Sequence, residues 1–95
     1  MILQDILYKV SIRSVKGNTG IEINGLHIDS RKIKPGYCFI SLKGTKTNGD
    51  EFIASAIEKG ATTIICEALP SVINEAVTYV QVDSAAEAAG YMSHN

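Results

Sequence analysis

Tryptophan is absent from this chain, and its 95 residues include only four tyrosines, two phenylalanines, two cysteines, two prolines and two histidines. Each scarcity closes off a class of function. Tyr8, Tyr37, Tyr79 and Tyr91 are scattered, a pattern of amphipathic packing and not of a stacking platform for single-stranded nucleic acid. Nine basic and ten acidic residues leave a net charge of -1, so the chain has neither the basic footprint of a nucleic-acid binder nor an acidic tail. Cys38 and Cys66 sit inside apolar runs without the spacing of a zinc site or a CxxC redox pair. Buried, reduced thiols are expected, and with them a cytoplasmic protein. His27 and His94 are far apart, no histidine stands at a motif spacing from Ser30, and no carboxylate pair is poised for acid–base work. Neither a catalytic constellation nor a metal-ligand set is expected, and His27, inside a strand pattern, reads as a satisfied structural histidine. No apolar run approaches the roughly 20 residues that span a bilayer. The first residues form an amphipathic pattern that includes Asp5, unlike a signal peptide, so no membrane partner is expected.

What is present is the composition of an ordinary soluble domain, 45% apolar and 20% charged, over a length that supports one core and not two. Ile2, Leu3, Ile6, Leu7 and Val10 recur at helical spacing and predict an N-terminal helix. Residues 11 to 20 are polar, end in Gly17-Asn18-Thr19-Gly20, and read as a connection. From Ile21 to Asp29 the apolar residues alternate but change parity, so Asn24-Gly25 is expected to be a bulge or bend between two short strands. Pro35-Gly36 predicts the centre of a type II turn, and Tyr37 to Leu42 an inner strand, apolar on both faces. Asn48 and Glu51 form a variant capping box for a helix whose buried stripe is Phe52, Ile53, Ala56 and Ile57 and whose C′ residue is Gly60. With its ring buried there, Phe52→Ala is expected to cost ~3–5 kcal/mol. The β-branched run from Ala61 to Cys66 predicts a buried parallel strand, completing a βαβ unit. Beyond Leu69-Pro70, residues 71 to 76 could form a helical turn or two, and Thr78 to Val82 alternates as a last strand. Ser84 and Glu87 cap an alanine-rich helix with Ala85, Ala88, Ala89 and Met92 on one side. That helix reaches Asn95 without a C-cap glycine, so the segment is expected to continue into something longer. The fold class is α/β: a single small domain, with a mixed sheet of four to five strands flanked by helices.

The chemistry concentrates between Asp29 and Ile53. Gly44 and Gly49 have the spacing of GxxxxG between a strand and a helix, the context of a phosphate-binding P-loop. A P-loop needs Lys and then Ser or Thr after its second glycine. Here those positions are Asp50 and Glu51, whose carboxylates would repel a triphosphate, and ATP hydrolysis at this loop is excluded. A weaker anion site survives. Thr45, Lys46 and Thr47 offer two hydroxyls, an ammonium and backbone N–H groups near a helix N-terminus. Ser30 and Arg31 could converge on it from the end of the neighbouring strand, where open α/β sheets place ligands. Plainer roles stay open for each: a solvated loop, an Asp29 carboxylate that caps a turn, an Arg31 paired with an acid at the surface.

The run Gly25-Leu26-His27-Ile28-Asp29-Ser30-Arg31, then Pro35-Gly36, Phe39-Ile40, Gly44, Asn48-Gly49, Phe52-Ile53, Ala56-Ile57 and Gly60-Ala61, closely resembles the N-terminal domain of Mur ligases. The resemblance covers essentially the whole chain, and its DSR-x(4)-G-x(2)-F and G-x(4)-G-x(2)-F-I-x(2)-A-I-x(2)-G-A patterns are specific as a set. It is strongest to the branch that adds the third residue, diaminopimelate or lysine, to the peptidoglycan stem peptide. The D-alanyl-D-alanine-adding branch is an alternative, as is an interaction domain that kept the scaffold and lost the ligand. The resemblance implies a domain that holds the UDP part of a UDP-N-acetylmuramoyl-dipeptide precursor. Ser30 would contact the diphosphate, Thr45, Lys46 and Thr47 the uridine and diphosphate, and Ile28 with Asp29 would line the uracil side. It also implies ATP-dependent amide formation through an acyl phosphate in the complete enzyme, with the ATP loop and magnesium ligands in a following domain. This segment would carry no cofactor and no catalytic residue. Two positions depart from the family pattern. Asn48 replaces a usual Asp and keeps a capping residue, while Asp50 stands where His or Arg is common and puts more weight on Lys46.

Overall fold

The most apolar stretch of the chain becomes the middle of the sheet. A computed structural model describes residues 2–42, 49–70 and 72–93, and in it β4 (Thr63–Cys66) is buried along its whole length. β3 (Tyr37–Ile40) and β5 (Thr78–Val82) flank it, both parallel to it. β2 (Gly25–His27) pairs in parallel with β3, and β1 (Ile12–Lys16) antiparallel with β5. The sheet therefore has five strands, mixed, in the order β1-β5-β4-β3-β2. Because successive strand residues point to opposite faces, the inner strands feed two cores. On one face Cys38, Ile40, Ile65, Val80 and Val82 pack with Leu3 and Ile6 of α1 (Leu3–Ile6), with Leu7, and with Ala85 and Ala88 of α3 (Ala85–Ser93). On the other, Phe39, Ile64, Cys66 and Tyr79 pack with Ile33 and with Ile53 and Ala56 of α2 (Gly49–Glu58). Coverage of both faces explains why these strands read as continuous apolar runs.

β3, α2 and β4 form the expected βαβ unit, and local chemistry ends its helix. Gly60 has φ +109°; its N–H donates to the Ile57 carbonyl at 3.0 Å, and the Ala61 N–H to the Ala56 carbonyl at 3.0 Å. This is the double hydrogen bond of a Schellman motif. The Gly60 carbonyl then accepts from the Gly36 N–H at 2.9 Å. Gly36, with φ +84°, lies in the turn closed by the Tyr37 N–H on the Lys34 carbonyl at 3.0 Å, as Pro35-Gly36 predicts. A Cβ on Gly60 would stand 2.6 Å from Pro35 Cα, and one on Gly36 would collide with the Asn24 amide. The amino ends of β3 and β4 are thus joined glycine to glycine, which leaves their carboxyl ends to carry the polar loops.

α3 begins as expected, with the Glu87 N–H donating to Ser84 Oγ at 3.2 Å. Its first N–H, on Ala85, donates to Glu67 Oε2 at 2.8 Å, so a carboxylate from beyond β4 serves the positive end of the helix.

Several expectations are corrected. The N-terminal helix is a single turn, Leu3–Ile6, although Leu3, Ile6 and Leu7 are buried as its stripe requires. Residues 12–16, read as connection, form β1, an edge strand exposed along its length. Pairing with β5, not a buried face, makes it a strand. The first of the two strands expected before Asp29 reduces to one bridge, Ile2 with Glu22. Asn24 instead binds the turn opposite, its N–H on the Gly36 carbonyl at 2.8 Å and its Nδ2 on the Pro35 carbonyl at 3.1 Å. Residues 72–76 turn without forming a helix; Asn74 Oδ1 accepts from the Ala76 N–H at 2.8 Å, a local bond that competes with helical pairing. Both cysteines are free and buried. Among the described residues no helix is long and apolar enough to cross a membrane.

Candidate functional site

β2 and β3 run in parallel and end on the same side of the sheet, and the chain leaving β2 turns at Asp29. Extended at φ -108°, Asp29 caps a single 3-10 turn, Ser30–Lys32, by accepting the Arg31 N–H on Oδ1 at 2.9 Å. The same carboxylate accepts from Arg31 Nε at 3.1 Å and Nη2 at 3.0 Å, a two-pronged pair. Held first by the Arg31 side chain and then by its backbone N–H, the Asp29 carboxyl is lowered to about 2. In return the carboxylate raises the guanidinium of Arg31. One step upstream, the Asp29 N–H donates to His27 Nδ1 at 3.0 Å, so His27 is the satisfied structural histidine its strand position predicts. Ser30 is buried at 7% exposure, whereas the Arg31 side chain is 84% exposed. α2 packs against this turn.

Between the turn, the end of β3 and the first turns of α2 lies an open cleft of about 540 Å³. Ile28, Asp29, Ser30, Arg31, Phe39, Ser41, Leu42 and Phe52 line it. Ile28, Leu42 and Phe52 remain exposed there, as apolar walls around a few polar groups, the usual make-up of a small-molecule site. Its place at the carboxyl ends of parallel strands is where open α/β sheets bind ligands. Arg31 commits two side-chain N–H groups to Asp29, out of the five its guanidinium carries.

Of the residues singled out in the sequence, Ile28, Asp29 and Ser30 meet in this cleft, and Arg31 joins them. The plainer roles of Asp29 as a turn cap and Arg31 as its surface ion pair are both realised. Thr45, Lys46 and Thr47, with the Asn48 cap, lie outside the described residues. Phe52 is a correction. Expected in the buried stripe of α2, it is 52% exposed, while Ile53 and Ala56 are at 4% and 0%. Those two side chains fill the face toward the sheet, and Phe52, one residue round the helix, points to the cleft instead. Phe39, Ser41, Leu42 and Phe52 were not anticipated as cleft residues. The available signals were a hydroxyl, Ser41, closing a strand otherwise apolar on both faces, and a fourth apolar residue widening a stripe that needed three. No group of three or more His, Cys, Asp or Glu that could hold a metal ion occurs among the described residues.

Residues 22–94 match the family model described as "Mur ligase family, catalytic domain". The UDP-N-acetylmuramoyl-L-alanyl-D-glutamate--2,6-diaminopimelate ligase of Bacteroides fragilis is 44% identical over 90 residues, covering 95% of this chain and 19% of the relative. The enzyme of the same name from Cytophaga hutchinsonii is 42% identical over 96 residues, 100% of this chain and 20% of the relative. A UDP-N-acetylmuramyl-tripeptide synthetase of Borrelia garinii subsp. bavariensis is 37% identical over 84 residues, 85% of this chain and 16% of the relative. In structure the chain is similar to MurF from Acinetobacter baumannii, with TM-score 0.71 and 22% identity over 94% of this chain and 19% of that one. The chain spans about a fifth of the length of the curated relatives it matches. The small α/β domain with its five-stranded mixed sheet and the family model over residues 22–94 agree: the chain belongs to the Mur ligase family.

Proposed function

We propose that residues 1–95 are the N-terminal, UDP-binding domain of a ligase that adds the third residue to the peptidoglycan stem peptide. The observation that carries this reading is the cleft, which gathers Ile28, Asp29 and Ser30 at the carboxyl ends of two parallel strands. Ser30 takes the diphosphate, Ile28 and Asp29 border the uracil, and Thr45, Lys46 and Thr47, between β3 and α2 in the sequence, contact the uridine and diphosphate. The bound molecule is the UDP handle of a UDP-N-acetylmuramoyl-dipeptide. In this reading the described residues bind and orient the handle, and amide formation falls to the rest of the enzyme. ATP and Mg2+ belong to the part of the enzyme corresponding to the relatives' remaining length, where ATP supplies the activation of the carboxylate. The working compartment is the cytoplasm, and neither nucleic acid nor membrane is a partner. Relatives at 44% and 42% identity named for diaminopimelate addition favour this branch. The second reading, the D-alanyl-D-alanine-adding branch, draws on the likeness to MurF, which at 22% identity is a likeness of fold.

The test is titration of UDP into isotope-labelled protein while amide resonances are followed. Shifts at Ser30 and at Thr45 to Thr47 at millimolar UDP are expected; their absence would leave a non-catalytic interaction domain as the better description. Ser30→Ala should weaken UDP by about three- to tenfold, the value of one hydrogen bond, with little change in melting temperature. A large drop in melting temperature would make Ser30 structural.

A further inference from the structure

We propose that His27 is a positioning residue for the cleft. Its neutral imidazole, carrying its proton on Nε2, sets the backbone of the turn from which Asp29, Ser30 and Arg31 reach the cleft. The inference rests on the nucleotide reading above for what the cleft binds, but not for what His27 does.

The pairing of β2 with β3 ends at His27 opposite Phe39, so the next backbone donors leave the ladder. The Asp29 N–H needs another acceptor, and the imidazole provides it, Nδ1 accepting at 3.0 Å. Asp29 Oδ1 repeats the device by accepting the Arg31 N–H at 2.9 Å. Two successive side chains each hold the N–H two residues on, and the second carries the ion pair that orients Arg31. The chain of dependence runs His27 to Asp29 to Arg31, and it begins outside the cleft, since His27 does not line it. Nδ1 can accept only as a bare nitrogen, so the proton sits on Nε2; a doubly protonated ring would set donor against donor. The charged residues of the turn that follows are Asp29, Arg31 and Lys32. From α3, Ala89 and Gly90 share a surface hollow with Leu26, His27 and Ile28 and bring no charge, and its β3 neighbour is Phe39.

Asparagine at position 27 can place its Oδ1 where Nδ1 sits and close the same kind of turn; leucine cannot. Nitrogen-15 spectra of the imidazole in the unsubstituted chain, without nucleotide, should show the Nε2–H form at neutral pH. A proton on Nδ1 would overturn the proposal without any variant. UDP affinity should fall about five- to tenfold in His27→Leu and stay within about twofold of the unsubstituted chain in His27→Asn. In nucleotide-free protein the Arg31 Nε–H resonance should move in His27→Leu and hold in His27→Asn. Unchanged affinity in His27→Leu, or equal losses in both variants, would overturn it. Should the unsubstituted chain fail to bind UDP, the nucleotide reading falls, while the tautomer and the Arg31 resonance still decide for or against His27.

Discussion

At Asp29 one carboxylate closes a turn, holds a guanidinium and borders a cleft. Its acidity records the first two. Folded Asp29 is held at about 2 against an ordinary 3.8. A depressed carboxyl stabilises the folded chain fully above its unfolded value, so this contribution is lost as pH falls from about 3.8 through about 2. Carboxyl carbon-13 titration should give a midpoint near 2, and Arg31→Ala should move it up toward the ordinary value. An unmoved midpoint would mean that another group holds the carboxylate down. Adjacent residues of α2 separate packing from presentation. Ile53, at 4% exposure, should cost about 2–5 kcal/mol on Ile53→Ala in urea unfolding. Phe52, at 52%, should cost about 1 kcal/mol or less on Phe52→Ala, and more than that would return its ring to the core. The Asp29-Ser30-Arg31 turn was legible because its chemistry is local, side chain to backbone two residues on. The outward aim of Phe52 was not, because it depends on how α2 crosses the sheet.

Among the elements, those with a buried face could be read directly. β3, α2, β4, β5 and α3 appear where apolar patterns and caps place them, because burial and capping write themselves into local sequence. β1 was illegible for the converse reason. All five of its residues are exposed, and its partner β5 lies more than 60 residues away, with Lys16 opposite Tyr79. The segment at 72–76 failed differently, through an asparagine that bonds its own backbone. Glycine substitutions test the element ends. Gly60→Ala puts a Cβ at φ +109° and 2.6 Å from Pro35 Cα, and should cost about 2 kcal/mol or more by chemical unfolding. Gly90→Ala, within α3 where a Cβ would meet nothing within 4 Å, should instead stabilise by up to about 1 kcal/mol. Equal effects at the two positions would contradict the Schellman ending of α2.

For the whole molecule, the sheet separates two cores and places one cysteine in each, Cys38 with the N-terminal turn and α3, Cys66 with α2. Burial pushes the Cys38 thiol well above its usual range, so a thiol-selective disulfide reagent should label the native chain only through opening. Labelling of both thiols should follow global unfolding as urea is raised; fast labelling of Cys66 alone would show that the α2 face opens by itself. The α/β class and a mixed sheet of four to five strands were readable from alternation and crossover length, whereas β1, which completes the five, and the shape of the cleft emerged only with the sheet assembled. Gly36 and Gly60 join the amino ends of β3 and β4, so substitutions there should cost the fold, whereas substitutions at exposed positions of the carboxyl-end cleft should not. A single-substitution library sorted once for folded protein and once for retained nucleotide would then divide along the strand axis. On the proposed nucleotide reading, losses at Gly36 and Gly60 would appear in both sorts and losses at Ser30 in the second alone.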